Sequence, residues 1–252
     1  MSGHSKWATT KHRKAAVDAK RSALFSKLTR VITVAAKTGG DPNPENNAAL
    51  AAAIAKAKSY SLPKDKIETA IAKAFGAGAD AAAFEEVVYE GYGPAGVAIY
   101  IEALTDNRNR TAADVRAAFT RAGGNLGATG SVAFQFERRG EIMIDGAGAP
   151  DEDDLMLVVA DAGGEDLEAL DQGFVVYTAP GDVMAVKSSL EAAGVPVKGA
   201  ELVMEPVTTT LVSVDDARKV LRLIDRLEEL DDLQTVYHTM ELTEEIAAAL
   251  DE

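Results

Sequence analysis

The chain has no cysteine, which excludes a disulfide framework, a thiol nucleophile and any thiolate metal site. Histidine is nearly as scarce, with only His4, His12 and His238, and no metal site is expected from so few. Aromatics make up 6% of the residues and tryptophan occurs once, at Trp7. No window approaches the roughly 20 apolar residues that cross a bilayer. The opening Met-Ser-Gly-His-Ser-Lys-Trp also lacks the apolar stretch of a secretory signal. A cytoplasmic protein is expected. There is no Gly-x-Ser-x-Gly elbow and no His-Glu-x-x-His segment, so neither common hydrolase arrangement is present. Gly91, Gly93 and Gly96 are not followed by Lys-Ser or Lys-Thr, and a strand-like run comes next. That reads as a hairpin turn, since a phosphate loop opens a helix. The acidic run Asp151-Glu152-Asp153-Asp154 sits at a helix start, where capping and the helix dipole account for it. No catalytic site, cofactor or small-molecule substrate is expected.

What the chain does have is a pronounced charge asymmetry. Its 252 residues are 47% apolar and 26% charged, which suits two or three globular domains. The net charge of −14 taken alone argues against nucleic acid, but it is unevenly spread. Residues 1–75 hold 14 Lys or Arg against 5 Asp or Glu, a local charge of +9. Residues 76–139 hold 6 against 8, and residues 140–252 hold 6 against 27, a local charge of −21. A basic head on an acidic body is the distribution expected when one region grips a polyanion and the remainder keeps the molecule soluble.

Turn signals at Gly39-Gly40-Asp41-Pro42-Asn43-Pro44 and Ser59-Tyr60-Ser61-Leu62-Pro63 divide the head into three helices. In the first, Val17, Leu24, Leu28, Val31 and Ala35 project into one arc, widened by Phe25 and Ile32. Lys20, Lys27, Arg30 and Lys37 project beside it, in a row that can follow a phosphate backbone. The second helix, roughly 45–59, is alanine-rich with Leu50 and Ile54 inward; the third begins near Pro63 and turns Ile67, Ile71 and Phe75 inward. Ahead of them lie His4, Lys6, Trp7, Lys11, His12, Arg13 and Lys14. Lysines and arginines release counterions from nucleic acid, and an indole can stack on an unpaired base. Trp7 suits either that role or a plug for the bundle.

In the body, 87–92 and 96–104 read as a hairpin joined by Gly93-Pro94-Ala95. A helix over 111–121, a Gly-rich turn at 123–127 and a strand at 131–136 follow. The order strand 141–144, helix 151–162, strand 166–170, strand 174–179, helix 182–193 and strand 200–206 is a βαββαβ, ferredoxin-like unit. Residues 208–214, a helix over 215–230 and a strand over 233–239 then complete the region left before it. The expected fold is α+β: an N-terminal three-helix domain followed by two ferredoxin-like α+β domains, one inserted in the other. The corresponding domains are 1–78, the discontinuous 79–138 with 207–252, and the inserted 139–206. At the strand-to-helix junction Asp106 to Thr111, Asp106 or Asn107 can cap the helix. Arg108 and Arg110 oppose the dipole there, which suits either phosphate or an internal carboxylate partner.

Gly3-His4-Ser5-Lys6-Trp7, Lys11-His12-Arg13-Lys14, Asp18-Ala19-Lys20-Arg21, Tyr89-Glu90-Gly91-Tyr92-Gly93-Pro94, the run from Leu104 to Thr111 and Gly123-Gly124-Asn125-Leu126-Gly127 together resemble the signatures of the YebC/PmpR family. The resemblance spans nearly the whole chain and implies a three-domain, nucleic-acid-binding regulator of gene expression. It implies two kinds of role: DNA-binding transcriptional regulation, and, from mitochondrial and bacterial relatives, translational activation and relief of ribosomes stalled on proline runs. The chain departs from the family pattern near Asn47 to Ala52, where alanines replace basic positions, which implies a weaker part for that helix in phosphate binding. The reading reached is a non-enzymatic factor that binds ribosomal RNA on the ribosome. Double-stranded DNA is the alternative, and a protein-interaction module built on the ferredoxin-like unit is a third. The nucleic-acid-binding residues expected are His4, Lys6, Trp7, Lys11, His12, Arg13, Lys14, Lys20, Arg21, Lys27, Arg30, Arg108 and Arg110.

Overall fold

The computed structural model describes residues 17–76, 84–170 and 172–250, with side chains from Ser22 to Ala249. The head forms α1 (Val17–Gly39), α2 (Ala48–Ser59) and α3 (Lys64–Phe75). Their core is Leu28, Ile32 and Ala36 of α1 against Leu50, Ala53 and Ala57 of α2 and Ile67, Ala70 and Ala74 of α3. Five of these nine are alanines, so the helices meet through small side chains that let backbones approach. Leu24, Phe25, Val31 and Ala35 pack at the margin of this core rather than at its centre. Phe75, expected inward, is 46% exposed; Ala70 and Ala74 take the inward positions three and seven residues beyond Ile67. Asn47 ties α1 to α2. Its Oδ1 accepts from Leu50 N at 3.0 Å, capping α2, and its Nδ2 donates to Ala35 O at 3.0 Å and Asp41 O at 3.2 Å. Gly39 packs directly on that amide, leaving no room for a Cβ.

By contacts the chain divides into two compact units, one comprising 136–207 and the other running from the head through Gln135 and resuming at Thr208. In the latter, β1 (Glu85–Tyr92), β2 (Ala98–Thr105), β3 (Asn125–Leu126) and β8 (Leu233–His238) form an antiparallel sheet in the order β3-β1-β2-β8. A single turn at Pro94–Gly96, with Ala95 and Gly96 at positive φ, closes the β1–β2 hairpin, and Gly93 N donates to Val97 O at 2.8 Å. The three glycines thus serve a hairpin. The helices α4 (Arg108–Arg121) and α7 (Val214–Glu228) pack on each other and on this sheet. Strong amphipathicity drives α7 into place: Ala217, Val220, Leu221, Ile224 and Leu227 recur at helical spacing and all are buried. A short α8 (Glu244–Leu250) follows, where no helix was expected.

The other unit is β4 (Phe136–Asp145), α5 (Glu152–Ala162), β5 (Asp166–Leu170), β6 (Gly173–Thr178), α6 (Val183–Ala192) and β7 (Val197–Pro206). Its antiparallel order, β5-β6-β4-β7, is the ferredoxin-like arrangement of a βαββαβ chain. Asp151 caps α5 through its Oδ1, which accepts from Asp154 N at 3.0 Å.

The strand expected at 131–136 is instead a single 3-10 turn at Ala133–Gln135, after which β4 runs unbroken for ten residues. A buried carboxylate explains the difference. Glu90 of β1 accepts from Gly130 N, Val132 N and Ala133 N at 2.7, 2.7 and 2.8 Å. Three backbone donors turned toward one side chain are not available to a strand ladder. Beside it, the Gly-rich turn at 123–127 contains the two-residue β3. Gly91 permits that pairing, since a Cβ there would stand 2.6 Å from Asn125 O. Residues 208–214 contribute only a single bridge, Thr210 to Met240.

Candidate nucleic-acid interface

The basic arm, with His4, Lys6, Trp7, Lys11, His12, Arg13 and Lys14, lies outside the described residues, as do the side chains of Lys20 and Arg21. The next two cations of the expected α1 row are turned inward. Lys27 is buried, and its Nζ donates to Glu228 O at 2.7 Å. That carbonyl belongs to the last turn of α7, the negative end of the helix dipole. Arg30 donates from Nη1 to Leu104 O at 3.3 Å, Asp231 O at 3.0 Å and Asp232 Oδ1 at 2.8 Å, with its guanidinium 5.1 Å from the Phe84 ring centre. These two residues join α1 to the central sheet. They do not form a phosphate-following row, because both are turned toward carbonyls and a carboxylate of the fold.

The Asp106–Thr111 junction meets the same carboxylate. Asn107 caps α4, its Oδ1 accepting from Arg110 N at 3.1 Å. Arg110 Nη2 donates at 2.7 Å to both Asp106 Oδ1 and Asp232 Oδ2. Thr111 donates to Asp232 Oδ2 at 2.7 Å, and Thr105 Oγ1 stands 3.2 Å from the same oxygen. Burial pushes the Asp232 carboxyl upward, but the bonds from Arg110, Thr111 and Arg30 outweigh it and hold the group below the ordinary carboxylate range. Its two hydrogen-bonded carboxylates hold Arg110 more firmly charged than a free guanidinium. The unfavourable position of Arg110 at a helix N-terminus is thereby offset by Asp106 and Asp232. Of the two readings open from sequence, the internal ion pair is the one found for Arg110.

Arg108 behaves differently. Its Nη1 lies 3.7 Å from Glu85 Oε2 with both side chains well exposed, a separation that contributes little to stability. It borders an open cleft of about 610 Å³ along the outer edge of β1. A second cleft, of about 460 Å³, is lined by Arg30, Arg110, Asp106, Asp114, Glu229, Asp231 and Asp232. Five carboxylates against two guanidiniums give that cleft a charge of −3, which disfavours phosphate.

Lys37, the last cation of the expected α1 row, is exposed, and further exposed cations of the head lie on α2 and α3. Lys58 in the last turn of α2 and Lys66 and Lys73 of α3 are exposed, and none makes an ion pair with a described residue. Lys66 and Lys73 are seven residues apart, nearly two full turns, and so project to the same side of α3 with exposed Thr69 between them. Lys64 is also exposed and loosely paired with Glu68 at 3.6 Å. In the sequence these lysines are sparser than the α1 row. Their seven-residue repeat on the polar side of a helix was the signal available to find them.

Comparison with known proteins places this geometry in a family. Residues 5–77 match the model of the TACO1/YebC protein N-terminal domain, and residues 84–240 match that of the TACO1/YebC second and third domain. A protein of Bifidobacterium animalis subsp. lactis is 51% identical over the whole of both chains. One of Rubrobacter xylanophilus is 50% identical over 98% of each. Both are named probable transcriptional regulatory proteins. Among solved structures, a conserved hypothetical protein of Aquifex aeolicus, Aq1575, superposes with a TM-score of 0.84 at 45% identity, covering 95% of this chain and 98% of its own. With its helical head, its hairpin-centred sheet and its inserted ferredoxin-like unit all matched at this level, the chain belongs to the TACO1/YebC family.

Proposed function

We propose that this protein is a non-enzymatic, cytoplasmic regulator of gene expression that binds ribosomal RNA on the ribosome. The observation that carries the reading is the separation of charge, +9 over residues 1–75 against −21 over residues 140–252. The contacts are made by the basic arm (His4, Lys6, Trp7, Lys11, His12, Arg13, Lys14), by Lys20 and Arg21, and by the exposed Lys58, Lys66 and Lys73, with Arg108 as an outlying contact. Lys27, Arg30 and Arg110 instead hold the fold together. On this reading domains 1–78, 79–138 with 207–252, and 139–206 divide the labour, the first for nucleic acid and the last for other contacts. A ribosome offers unpaired bases on which Trp7 can stack, as well as phosphates, whereas duplex DNA offers the arm mainly phosphates. The acidic body repels nucleic acid locally and so orients the factor.

A second reading, regulation of transcription through double-stranded DNA, is favoured by the names of the curated relatives. Ribosome profiling paired with RNA sequencing in a deletion strain separates the two. The ribosome reading expects altered ribosome density on particular messages, proline-rich ones foremost, at nearly constant transcript levels. Altered transcript levels with unchanged ribosome occupancy per transcript would overturn it.

A further inference from the structure

The inserted unit carries a surface that neither its own core nor nucleic-acid binding explains. In α5, Leu155 and Val159 point into the core formed with Ile142, Val176, Val186 and Leu190. Away from that core the same helix exposes two large apolar side chains among its carboxylates: Met156 is 42% exposed and Leu157 67% exposed, with exposed Ala160 one turn on. In α6, which packs against α5, Val183 and Val186 are buried while Met184 is 54% exposed beside exposed Ala185. A surface helix ordinarily turns polar residues to water, and large apolar side chains exposed together inside a polar rim mark an interaction surface. Two of the three large exposed side chains are methionines, whose unbranched, polarizable chains adapt to partners of varied shape.

The charge around this surface selects the occupant. Residues 136–207 hold 16 Asp or Glu against 4 Lys or Arg, a net −12. Three of the four cations are taken by carboxylates of the same unit: Arg139 by Glu137, Lys187 by Glu191 and Lys198 by Asp145. Asp153 and Asp161 of α5 lie one turn before and one turn after the exposed Met156–Leu157 pair and are themselves exposed. Phosphates are repelled by such a surface, and a neutral apolar partner would leave the carboxylates unmatched. A cationic chain with an apolar stripe satisfies both the charge and the exposed side chains.

We propose that the outer side of α5 and α6, with Met156, Leu157 and Met184 at its centre and Asp153 and Asp161 at its rim, is a docking surface for a lysine- or arginine-rich protein segment that presents apolar side chains at helical spacing. The complex joins a helix-on-helix apolar seam to a rim of opposite charges. It gives the acidic inserted unit a protein partner of its own.

The test uses the full chain and a labelled Leu/Lys peptide of about 18 residues, with leucines at helical spacing, and a scrambled peptide of the same composition. Anisotropy titration is expected to show saturable binding of the amphipathic peptide, with the scrambled one several-fold weaker. Replacing Leu157→Glu and Met184→Glu together weakens binding about tenfold, with an unchanged melting temperature because both positions are on the surface. Asp153→Asn with Asp161→Asn, a milder pair, weakens it several-fold at low salt and less at high salt. Hydrogen exchange places peptide-induced protection on α5 and α6. The proposal is overturned if the Glu variants bind the peptide as tightly as the unaltered chain, or if the scrambled peptide binds equally well. It is equally overturned if a single-stranded or hairpin RNA protects α5. Self-association of the unaltered chain that Leu157→Glu abolishes would assign the surface to a second copy and also overturn it.

Discussion

Arg30 and Asp232 stand 202 residues apart in the chain and meet at 2.8 Å. This contact joins the first helix of the head to the loop that enters the last strand of the central sheet. The same carboxylate takes Arg110 and Thr111, each at 2.7 Å. One acidic group therefore sets the position of α1 and the start of α4 against the sheet. Replacing Asp232→Asn keeps the shape but leaves Arg30 without its counterion and Arg110 with Asp106 alone. Because Arg110 is half exposed and water replaces part of what is lost, the expected loss is about 2 kcal/mol. A melt followed by circular dichroism checks it, and a change below about 0.5 kcal/mol would show the cluster to be ornamental.

The same group predicts a pH dependence. A carboxyl held below its ordinary value, about 3.9 for aspartate, stabilises the fold at any pH above that value. It loses the contribution as pH falls through the lower native value. The difference in melting temperature between the unaltered chain and Asp232→Asn is therefore expected to be constant from about pH 7 to pH 5 and to close below about pH 4. A difference that widens toward acid pH would contradict the assignment.

The two arginines of the α4 junction are expected to separate. Arg110→Ala lowers the melting temperature measurably, since it takes from Asp232 and Asp106 their shared partner. Arg108→Ala changes stability by less than about 0.5 kcal/mol. Equal effects on the melting temperature would show that exposure and separation misjudge the Arg108–Glu85 pair.

Much of this is legible in the sequence. The inserted βαββαβ unit, the Gly93-Pro94-Ala95 hairpin and the caps at Asn107 and Asp151 follow from local periodicity and turn chemistry, which act over a few residues. What was not legible depended on partners far along the chain. Lys27 and Arg30 share a side of α1 with other cations, and nothing within the helix says that Glu228 O and Asp232 are waiting for them. The turn at Ala133–Gln135 depends on Glu90, some 40 residues upstream. Phe75 looked like a core residue by size and spacing, but Ala70 and Ala74 bring α3 close enough to α1 that the ring lies outside.

Glu90 gives a further test. Glu90→Gln retains an acceptor but replaces the second carboxylate oxygen by a donor facing backbone N–H groups. The expected cost is about 2 to 3 kcal/mol. Hydrogen exchange at Gly130, Val132 and Ala133 should accelerate before that of the β1–β2 ladder. Unchanged exchange at those three amides would contradict the role given to the carboxylate.

Trp7 is the one side chain of the arm expected to read unpaired bases. Trp7→Ala is expected to weaken binding to single-stranded or looped RNA about tenfold, in line with roughly 1 to 3 kcal/mol per stacked base, and to leave duplex DNA binding nearly unchanged. Equal losses on both, or a large fall in melting temperature, would make Trp7 a plug of the helical head.

The most direct test of the account is the salt dependence of binding to a structured ribosomal RNA fragment, measured for the unaltered chain and for Lys58→Gln, Lys66→Gln and Lys73→Gln combined. If about five phosphates are contacted, the log–log slope of affinity against salt is on the order of −4. Removing three of the contacts reduces it by about 2 to 3 at unchanged stability. A slope near zero for the unaltered chain, or an affinity and slope that the triple substitution does not move, would contradict the assignment of nucleic-acid binding to this surface of the head.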